Sequence, residues 1–465
     1  MATSLCAQKL DSGPQVLSFF SDIDDTEQPY GLYLPENYDP GKKYPLVVML
    51  HGAGSNHRLA LRRVFGKTNQ NGETDVEASR YFPRWENREY LVASPNARGT
   101  MGYQGIAEKD VLDMVEDVKR RFSVDENRMY LTGLSMGGGG TLWIGLAYPD
   151  MWAAMAPVCP APPAEAAALA ANAFNIPVHI HQGGADPVVR PEGVRAWVES
   201  LKSKGVAVEY SEYPGVGHDS WANAYQDGAI FDWFGQFERN PFPERVKYEA
   251  TQYKHNKAYW ITLDAFTPGT LTGIDAQFTG ENQLVVRTTN LRAFTLRLAG
   301  HPFYKSEKPL KVNIDGKVVE AAADKAISFL KTAERWENKP YYPPALVKRK
   351  GIEGPMIEVV STRHIYVYGT GGNPSEEEMA RRREQAGKAA EWSGYRGEFL
   401  GRIMVFPRIL SDREVRLSDL QGANLILFGD KTTNSIIEQY SGRLPLHLND
   451  PSGDYGLAYV FPVGN

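Results

Sequence analysis

The first half of the chain alternates short apolar segments with longer segments whose apolar residues recur at helical spacing. Residues 45–50 read Pro-Leu-Val-Val-Met-Leu, a continuous run that is typical of a buried strand. Residues 108–122 instead place apolar side chains on one helix face, among them Val111, Val115 and Val118. This alternation predicts an α/β domain with a mostly parallel sheet that is covered by helices on both faces.

The same reasoning assigns an element to most of the first 240 residues. Predicted strands cover residues 28–35, 45–50, 90–94, 128–132, 153–158, 178–181 and 209–213. Predicted helices cover residues 108–122, 137–148 and 191–203.

Near residue 240 the pattern changes, and it changes again near residue 354. After Asn-Pro-Phe-Pro at 240–243, short strands are predicted at residues 259–263, 283–288, 294–298 and 311–314, with a hairpin turn at Asp315-Gly316. Further on, predicted elements are a strand at 364–368, a helix capped by Ser375 that runs to about 392, a strand at 424–428 and a helix at 435–440. We therefore expect an α/β domain over residues 1–240, a β-rich module over 241–350 and a small α/β module over 351–465.

Composition and charge exclude several classes of protein. The 465 residues carry a formal net charge of −5 with both signs well mixed, whereas a nucleic-acid-binding protein needs a basic face. No apolar run approaches the roughly 18 residues of a membrane span. Two cysteines, Cys6 and Cys159, cannot build a disulfide framework, and Cys159 is predicted to be a small buried side chain. The first residues lack the apolar core of a signal peptide, so localisation is open: secreted or periplasmic if a leader has been removed, and cytoplasmic otherwise.

A serine lies between a predicted strand and a predicted helix. The segment Gly133-Leu-Ser-Met-Gly137 fits the G-x-S-x-G pattern of a nucleophile elbow, in which glycines allow a sharp turn that exposes the serine hydroxyl. We predict that Ser135 is a nucleophile, against the alternative of a structural glycine-rich turn. The backbone N–H of Met136, at the start of the helix, would then stabilise an oxyanion. The loop His51-Gly-Ala-Gly, after the strand at 45–50, would add the N–H of Ala53, unless it is only a structural turn.

Two further residues complete a predicted catalytic triad. Asp186 follows the strand at 178–181 in Gly-Gly-Ala-Asp-Pro, and His218 follows the strand at 209–213 in Gly-Val-Gly-His-Asp. An imidazole can take the serine proton, and a carboxylate can fix the tautomer of the imidazole. Asp186 could instead form only an Asp-Pro turn. Asp219 is a weaker alternative to Asp186, because adjacent side chains point apart.

A metal site is not indicated. His179 and His181 share one face of a strand, but no third ligand is evident, so a buried structural pair is the preferred interpretation. The predicted chemistry requires neither a metal nor another cofactor.

Four motifs together resemble a known group of enzymes. They are His51-Gly-Ala-Gly, Gly133-Leu-Ser-Met-Gly, Gly183-Gly-Ala-Asp-Pro and Gly217-His-Asp-Ser-Trp. Over about residues 28–235 the chain is similar to the α/β-hydrolases that include feruloyl esterases, acetylxylan esterases and polyhydroxybutyrate depolymerases. Prolyl-oligopeptidase-type catalytic domains are neighbours of that group.

The resemblance implies an α/β-hydrolase fold and a Ser-His-Asp mechanism. It also implies that Trp221 lies beside the active site as a substrate contact, against the alternative of simple packing. The function expected is hydrolysis of feruloyl, acetyl or similar esters, on plant polysaccharide or on small molecules. A serine peptidase of the prolyl-oligopeptidase type and a non-catalytic carbohydrate-binding or interaction protein are the alternatives. The C-terminal half could mediate self-association.

Overall fold

The computed structural model describes residues 11–333, 335–344, 346–393, 404–447 and 456–462. The chain divides into two compact units. The first unit comprises Met1–Phe19, Gln28–Asn96 and Val111–Pro243. The second unit comprises Phe20–Glu27, Ala97–Asp110 and Glu244–Asn465.

An eight-stranded sheet runs through the first unit. Its strands are β1 (Gly13–Ser21), β2 (Thr26–Leu34), β3 (Tyr44–Leu50), β4 (Leu91–Pro95), β5 (Val124–Leu134), β6 (Ala154–Val158), β7 (Val178–Gly183) and β8 (Val208–Tyr213). The strand order is β1-β2-β4-β3-β5-β6-β7-β8. Strand β2 is antiparallel to β4, and the pairs from β4 through β8 are all parallel. The predicted α/β-hydrolase fold with a mostly parallel sheet is confirmed.

Seven helices accompany this sheet. They are α1 (His57–Val64), α2 (Asp75–Ala78), α3 (Ile106–Arg121), α4 (Met136–Ala147), α5 (Pro191–Ser203), α6 (Trp221–Ala224) and α7 (Ala229–Phe234). Strands β3, β4 and β6 are buried at every position. Parallel strands that are covered on both faces read as continuous apolar runs, which is why the sequence revealed them so clearly.

Ten strands of the second unit form two five-stranded sheets. They are β9 (Arg245–Ala250), β10 (Lys257–Ala258), β11 (Ile261–Phe266), β12 (Thr272–Gly280), β13 (Gln283–Thr289), β14 (Leu291–Leu296), β15 (Leu310–Ile314), β16 (Lys317–Ala321), β17 (Ile327–Thr332) and β18 (Arg335–Glu337). The sheet orders are β10-β11-β14-β17-β18 and β16-β15-β13-β12-β9. The predicted β-rich character is confirmed.

The structure corrects one predicted strand bound and confirms one predicted turn in these sheets. The strand predicted at 259–263 begins at Ile261, because Tyr259 has a φ of 52° and turns the chain. The hairpin turn between β15 and β16 is confirmed: Asp315 and Gly316 both have positive φ, 51° and 85°, as a two-residue hairpin loop of type I′ requires.

A three-stranded parallel sheet forms the small α/β module. Its strands are β19 (His364–Tyr368), β20 (Arg408–Ser411) and β21 (Asn424–Phe428), in the order β20-β19-β21. Its helices are α8 (Glu376–Ala390), α9 (Leu417–Gly422) and α10 (Ser435–Tyr440). The hydroxyl of Ser375 accepts the N–H of Glu378 at 3.2 Å, so the predicted helix cap is confirmed.

A buried ion cluster ties together the chain segments of the second unit. The side chain of Arg98 has no exposed surface, and its guanidinium lies 2.5 Å from a carboxylate oxygen of Asp24 and 2.6 Å from one of Asp110. It also donates to the hydroxyl of Ser21 at 2.7 Å. Because each charge has charged or hydrogen-bonding partners, the cost of removing it from water is offset.

Several sequence predictions concern the chain as a whole. The division into three domains at residues 240 and 350 stays a prediction, as does self-association through the C-terminal half. Across the described ranges, no helix is both long and apolar enough to cross a bilayer. Cys159 is buried with a free thiol, and Cys6 lies outside the described residues.

Candidate active site

Ser135 lies in the tight turn between strand β5 and helix α4. Its backbone has φ 56° and ψ −117°, an unusual conformation for a side chain larger than that of glycine. Three backbone hydrogen bonds hold it: Ser135 donates to Val158, and Gly139 and Ala161 donate to Ser135, at 2.9, 2.9 and 3.2 Å. A Cβ on Gly137 would lie only 2.1 Å from the carbonyl oxygen of Leu50, so the turn packs too closely for any other residue. The strand–turn–helix context predicted for a nucleophile elbow is present.

The imidazole of His218 connects Ser135 to Asp186. Its Nε2 lies 2.9 Å from Oγ of Ser135, and its Nδ1 lies 2.8 Å from Oδ2 of Asp186. An ionised carboxylate only accepts hydrogen bonds, so Nδ1 carries the ring proton and Nε2 is left to accept the hydroxyl proton. The structure therefore brings together the three side chains that the sequence selected, from the carboxyl ends of strands β5, β7 and β8.

Asp186 is held as an ionised acceptor. Its Oδ1 accepts the backbone N–H groups of Val188 and Val189 at 2.8 and 3.0 Å, and Oδ2 accepts from Gln182 at 3.2 Å in addition to His218. Burial pushes the pKa of Asp186 upward, but the hydrogen bonds from His218 and from the two amides outweigh it. The pKa of this carboxyl is therefore below its ordinary value, and Asp186 is charged at neutral pH.

The loops that carry Asp186 and His218 touch at a glycine. A Cβ on Gly183, the last residue of β7, would lie 2.0 Å from the carbonyl oxygen of Gly217. No side chain fits there, so the two loops can approach closely enough for the carboxylate to reach the imidazole. Asp219, the alternative acid, is exposed, whereas Asp186 is 3% exposed and bonded to the ring.

Two backbone N–H groups remain candidates for an oxyanion hole. Met136 is the first residue of α4, and the first N–H groups of a helix have no partner inside the helix. The loop with Ala53 lies beside the serine: a Cβ on Gly52 would be 3.5 Å from Cβ of Ser135. Ala53 itself is exposed. Both groups therefore lie in chain segments that adjoin the serine.

Trp221 and the histidine pair each have a defined place. The ring of Trp221 meets the His218 ring edge-on, with centroids 5.6 Å apart, and is partly buried. The rings of His179 and His181 are tilted by 31° with their centroids 3.9 Å apart, and they bond the hydroxyls of Ser211 and Tyr213, both at 2.9 Å. Burial lowers the pKa of both histidines. Within the described ranges, no third metal ligand joins this pair.

A family comparison identifies the kind of protein to which this geometry belongs. Residues 24–261, just over half of the chain, match the family described as "Putative esterase". The chain belongs to this family. The matched span contains Ser135, Asp186 and His218 and ends at the first residue of β11.

Solved structures similar to this chain include esterases and a peptidase. A thermostable esterase is 26% identical over 49% of this chain, with a TM-score of 0.39, and the chain spans 63% of its length. A ferulic acid esterase from Anaeromyces mucronatus is 20% identical, covering 48% of this chain and 90% of its own, with a TM-score of 0.35. Dipeptidyl peptidase 4 from Porphyromonas gingivalis is 19% identical over 48% of this chain and 36% of its own, with a TM-score of 0.37.

Two neighbours of the predicted triad were not expected from the sequence. Gln182, the penultimate residue of β7, donates to Asp186 and to the carbonyl of Val189, and so fixes the loop that carries the acid. A polar residue at a strand end, four positions before the acid, was the available signal. Cys159 was predicted to be a buried small side chain, and it is fully buried. Cys159 lies close to Asp186 and His218 because these residues follow the neighbouring strands β6, β7 and β8, and no local sequence pattern reveals that proximity.

Proposed function

We propose that this esterase hydrolyses carboxylic esters through an acyl-enzyme on Ser135. One observation carries the proposal: the hydrogen-bonded line from Ser135 Oγ through both ring nitrogens of His218 to Asp186, with contacts of 2.9 and 2.8 Å. This arrangement suits acyl transfer, because the ring can take the hydroxyl proton at one nitrogen while the carboxylate stabilises the resulting positive charge at the other.

The reaction proceeds in two halves. Ser135 Oγ attacks the ester carbon as His218 takes its proton, and the bond to the alcohol breaks as His218 returns that proton to the leaving oxygen. Water then repeats the sequence on the acyl-enzyme: His218 removes a proton from water, the carboxylic acid is released, and Ser135 regains its proton. The N–H groups of Met136 and Ala53 donate to the oxyanion of each tetrahedral intermediate.

The proposed substrates are feruloyl, acetyl or similar esters, including those on plant polysaccharide. The resemblance over about residues 28–235 to the group that includes feruloyl and acetylxylan esterases supports this class, whereas the four motifs by themselves specify only the fold and the triad. Trp221 is proposed to contact the substrate, because its ring adjoins the imidazole that must protonate the leaving alcohol. No metal or cofactor is needed for these steps.

Turnover of matched esters and amides tests the function. We expect hydrolysis of p-nitrophenyl acetate and methyl ferulate, with slower turnover of an aminoacyl-prolyl anilide. The substitution Ser135→Ala should reduce kcat on the order of 10⁶-fold. The matched control is Ser203→Ala, an exposed serine at the end of α5. Faster turnover of the anilide would favour a peptidase instead.

Covalent labelling separates an enzyme from a binding protein. A fluorophosphonate should modify Ser135, which mass spectrometry of the peptide would locate. The absence of both turnover and labelling, in protein shown to be folded, would favour the non-catalytic carbohydrate-binding alternative.

A further inference from the structure

A thiol adjoins the predicted triad without a role in the proposed reaction. Cys159 follows strand β6, is fully buried, and has a φ of 37°. Its sulfur, a carboxylate oxygen of Asp186 and a ring nitrogen of His218 all lie within 4.8 Å of one another. In the described part of the chain, this is the one group of three or more such side chains with that spacing.

These three donors match the preferences of a thiophilic cation. Thiolate, imidazole and carboxylate are the protein ligands of Zn²⁺, with bonds of about 2.0–2.3 Å. Tetrahedral bonds of that length place ligand atoms roughly 3.3–3.8 Å apart. The donors around Cys159 therefore need shifts of about 1 Å or less to enclose a cation. Three protein ligands leave a fourth position for water.

We propose that Cys159, Asp186 and His218 form an inhibitory binding site for a thiophilic divalent cation, Zn²⁺ or its analogue Cd²⁺. The inhibitory role rests on the proposed function of this site, whereas binding of the cation does not. The cation takes the Oδ2 and Nδ1 atoms that otherwise bond each other at 2.8 Å. The imidazole then loses the partner that orients it towards Ser135.

Binding of the cation displaces the thiol proton of Cys159 and moves the ring proton of His218. The Cys159 sulfur forms a bond to the cation and releases its proton to solvent. The Nδ1 proton of His218 moves to Nε2, where it prevents the ring from accepting the serine proton. Burial raises the pKa of the Cys159 thiol to about 12, partly offset by the backbone of Ser135 and the hydroxyl of Ser220. Without a cation the thiol stays protonated, so the triad works undisturbed.

One side of the site reaches solvent. The side chain of His218 is 23% exposed, whereas the side chain of Asp186 has no exposed surface. A cation therefore enters past the imidazole ring, from the same direction as a substrate. An ester bound over Ser135 should slow the entry of the cation, and inhibition should be reversed by a chelator.

Direct binding of the metal ion alone tests the site without reference to activity. Cd²⁺ bound to a thiolate gives an ultraviolet charge-transfer absorption, and Zn²⁺ affinity can be measured by competition with a coloured indicator. Wild-type protein should bind one ion with this absorption. Cys159→Ser should lose the absorption and bind Zn²⁺ at least about 100-fold more weakly, since even outer partners of metal ligands contribute 10- to 100-fold. Thermal unfolding would establish that the variant is folded.

Two matched controls make the assignment specific. Cys6→Ser removes the other thiol and should keep both the absorption and the affinity. Asp219→Asn removes the exposed carboxylate next to His218 and should also bind as the wild type does. Equal Zn²⁺ affinity in wild type and Cys159→Ser, or no charge-transfer absorption in the wild type, would overturn the proposal.

Inhibition is read separately, as the ratio of ester turnover with and without Zn²⁺ for each variant. We expect loss of turnover in the wild type, recovery with EDTA, and resistance in Cys159→Ser. Wild-type turnover that persists when the site is saturated would overturn the inhibitory role. Binding at Cys159 in a protein without any ester turnover would refute the proposed function and leave the cation site standing, so the two failures are distinguishable.

Discussion

Replacing Asp186 with asparagine should remove most ester hydrolysis while the protein stays folded. In the native site, Oδ1 accepts the N–H groups of Val188 and Val189, and Oδ2 accepts from His218. Asparagine has only one oxygen, and its NH₂ group cannot accept a hydrogen bond. Because two amides face Oδ1, the oxygen should take that position and the NH₂ group should face the imidazole.

The magnitude follows from the tautomer that this arrangement imposes. With a donor opposite Nδ1, the ring proton of His218 moves to Nε2, which lies 2.9 Å from the hydroxyl of Ser135. The ring can then no longer accept the serine proton. Loss of the correct tautomer in a serine triad costs kcat about 10⁴-fold, or roughly 5.5 kcal/mol in the activation free energy. KM should change little, because the side chain of Asp186 has no exposed surface that could contact a substrate.

Steady-state hydrolysis of p-nitrophenyl acetate measures the effect, with Asp219→Asn as the matched control. Asp219 is adjacent to His218 but exposed, so its variant should stay within roughly twofold of wild-type kcat. Retention of more than about a tenth of the activity in Asp186→Asn would refute the reasoning. A large loss in Asp219→Asn would assign the acid to the neighbouring residue.

Three further outcomes concern stability. Gly137→Ala should lower the free energy of unfolding in urea by about 3 kcal/mol or more, because its Cβ would lie 2.1 Å from the backbone of Leu50. The matched control Gly193→Ala, in an exposed helix position with open space around it, should be neutral or stabilising. Burial lowers the pKa of His181 to about 3 from an ordinary 6.5, so below pH 6.5 this residue takes up a proton only in the unfolded chain. Protonation of the unfolded chain should therefore lower the free energy of unfolding by about 2 kcal/mol by pH 5. The free energy of unfolding of His181→Asn should fall less over the same pH range, by about that amount. Arg98→Met should lower the free energy of unfolding by about 3–5 kcal/mol at pH 7, since it leaves two buried carboxylates without their cation. An unchanged midpoint of urea unfolding would show that the ion cluster does not stabilise the fold.

The sequence predicted those parts of the fold and the site that depend on local chemistry. Helix α5 was predicted at its observed bounds, 191–203, because it has a proline at its first position and a clear apolar face. Ser135 and His218 could be selected as a candidate pair because glycines mark the sharp turns beside each, and the structure places the two side chains in contact. The turn at Asp315-Gly316 was found for the same reason.

The parts that were missed depend on tertiary contacts. Strand β12 spans Thr272–Gly280 but contains two glycines and polar residues, and only its pairing with β9 and β13 on either side makes it a strand. The shift of β11 follows from the positive φ of Tyr259, a conformation that an aromatic residue adopts rarely and that no sequence rule anticipates.

Tertiary contacts also hold the unfavourable backbone conformation of Ser135. The φ of 56° at Ser135 costs about 1–3 kcal/mol. Its own side chain does not offset that cost; backbone bonds to Val158, Gly139 and Ala161 do. Those bonds can form because Gly137 has no side chain, which lets the turn pack directly against Leu50 at the end of strand β3. The position of the proposed nucleophile is therefore set by backbone packing around Ser135, which leaves its hydroxyl 2.9 Å from Nε2 of His218.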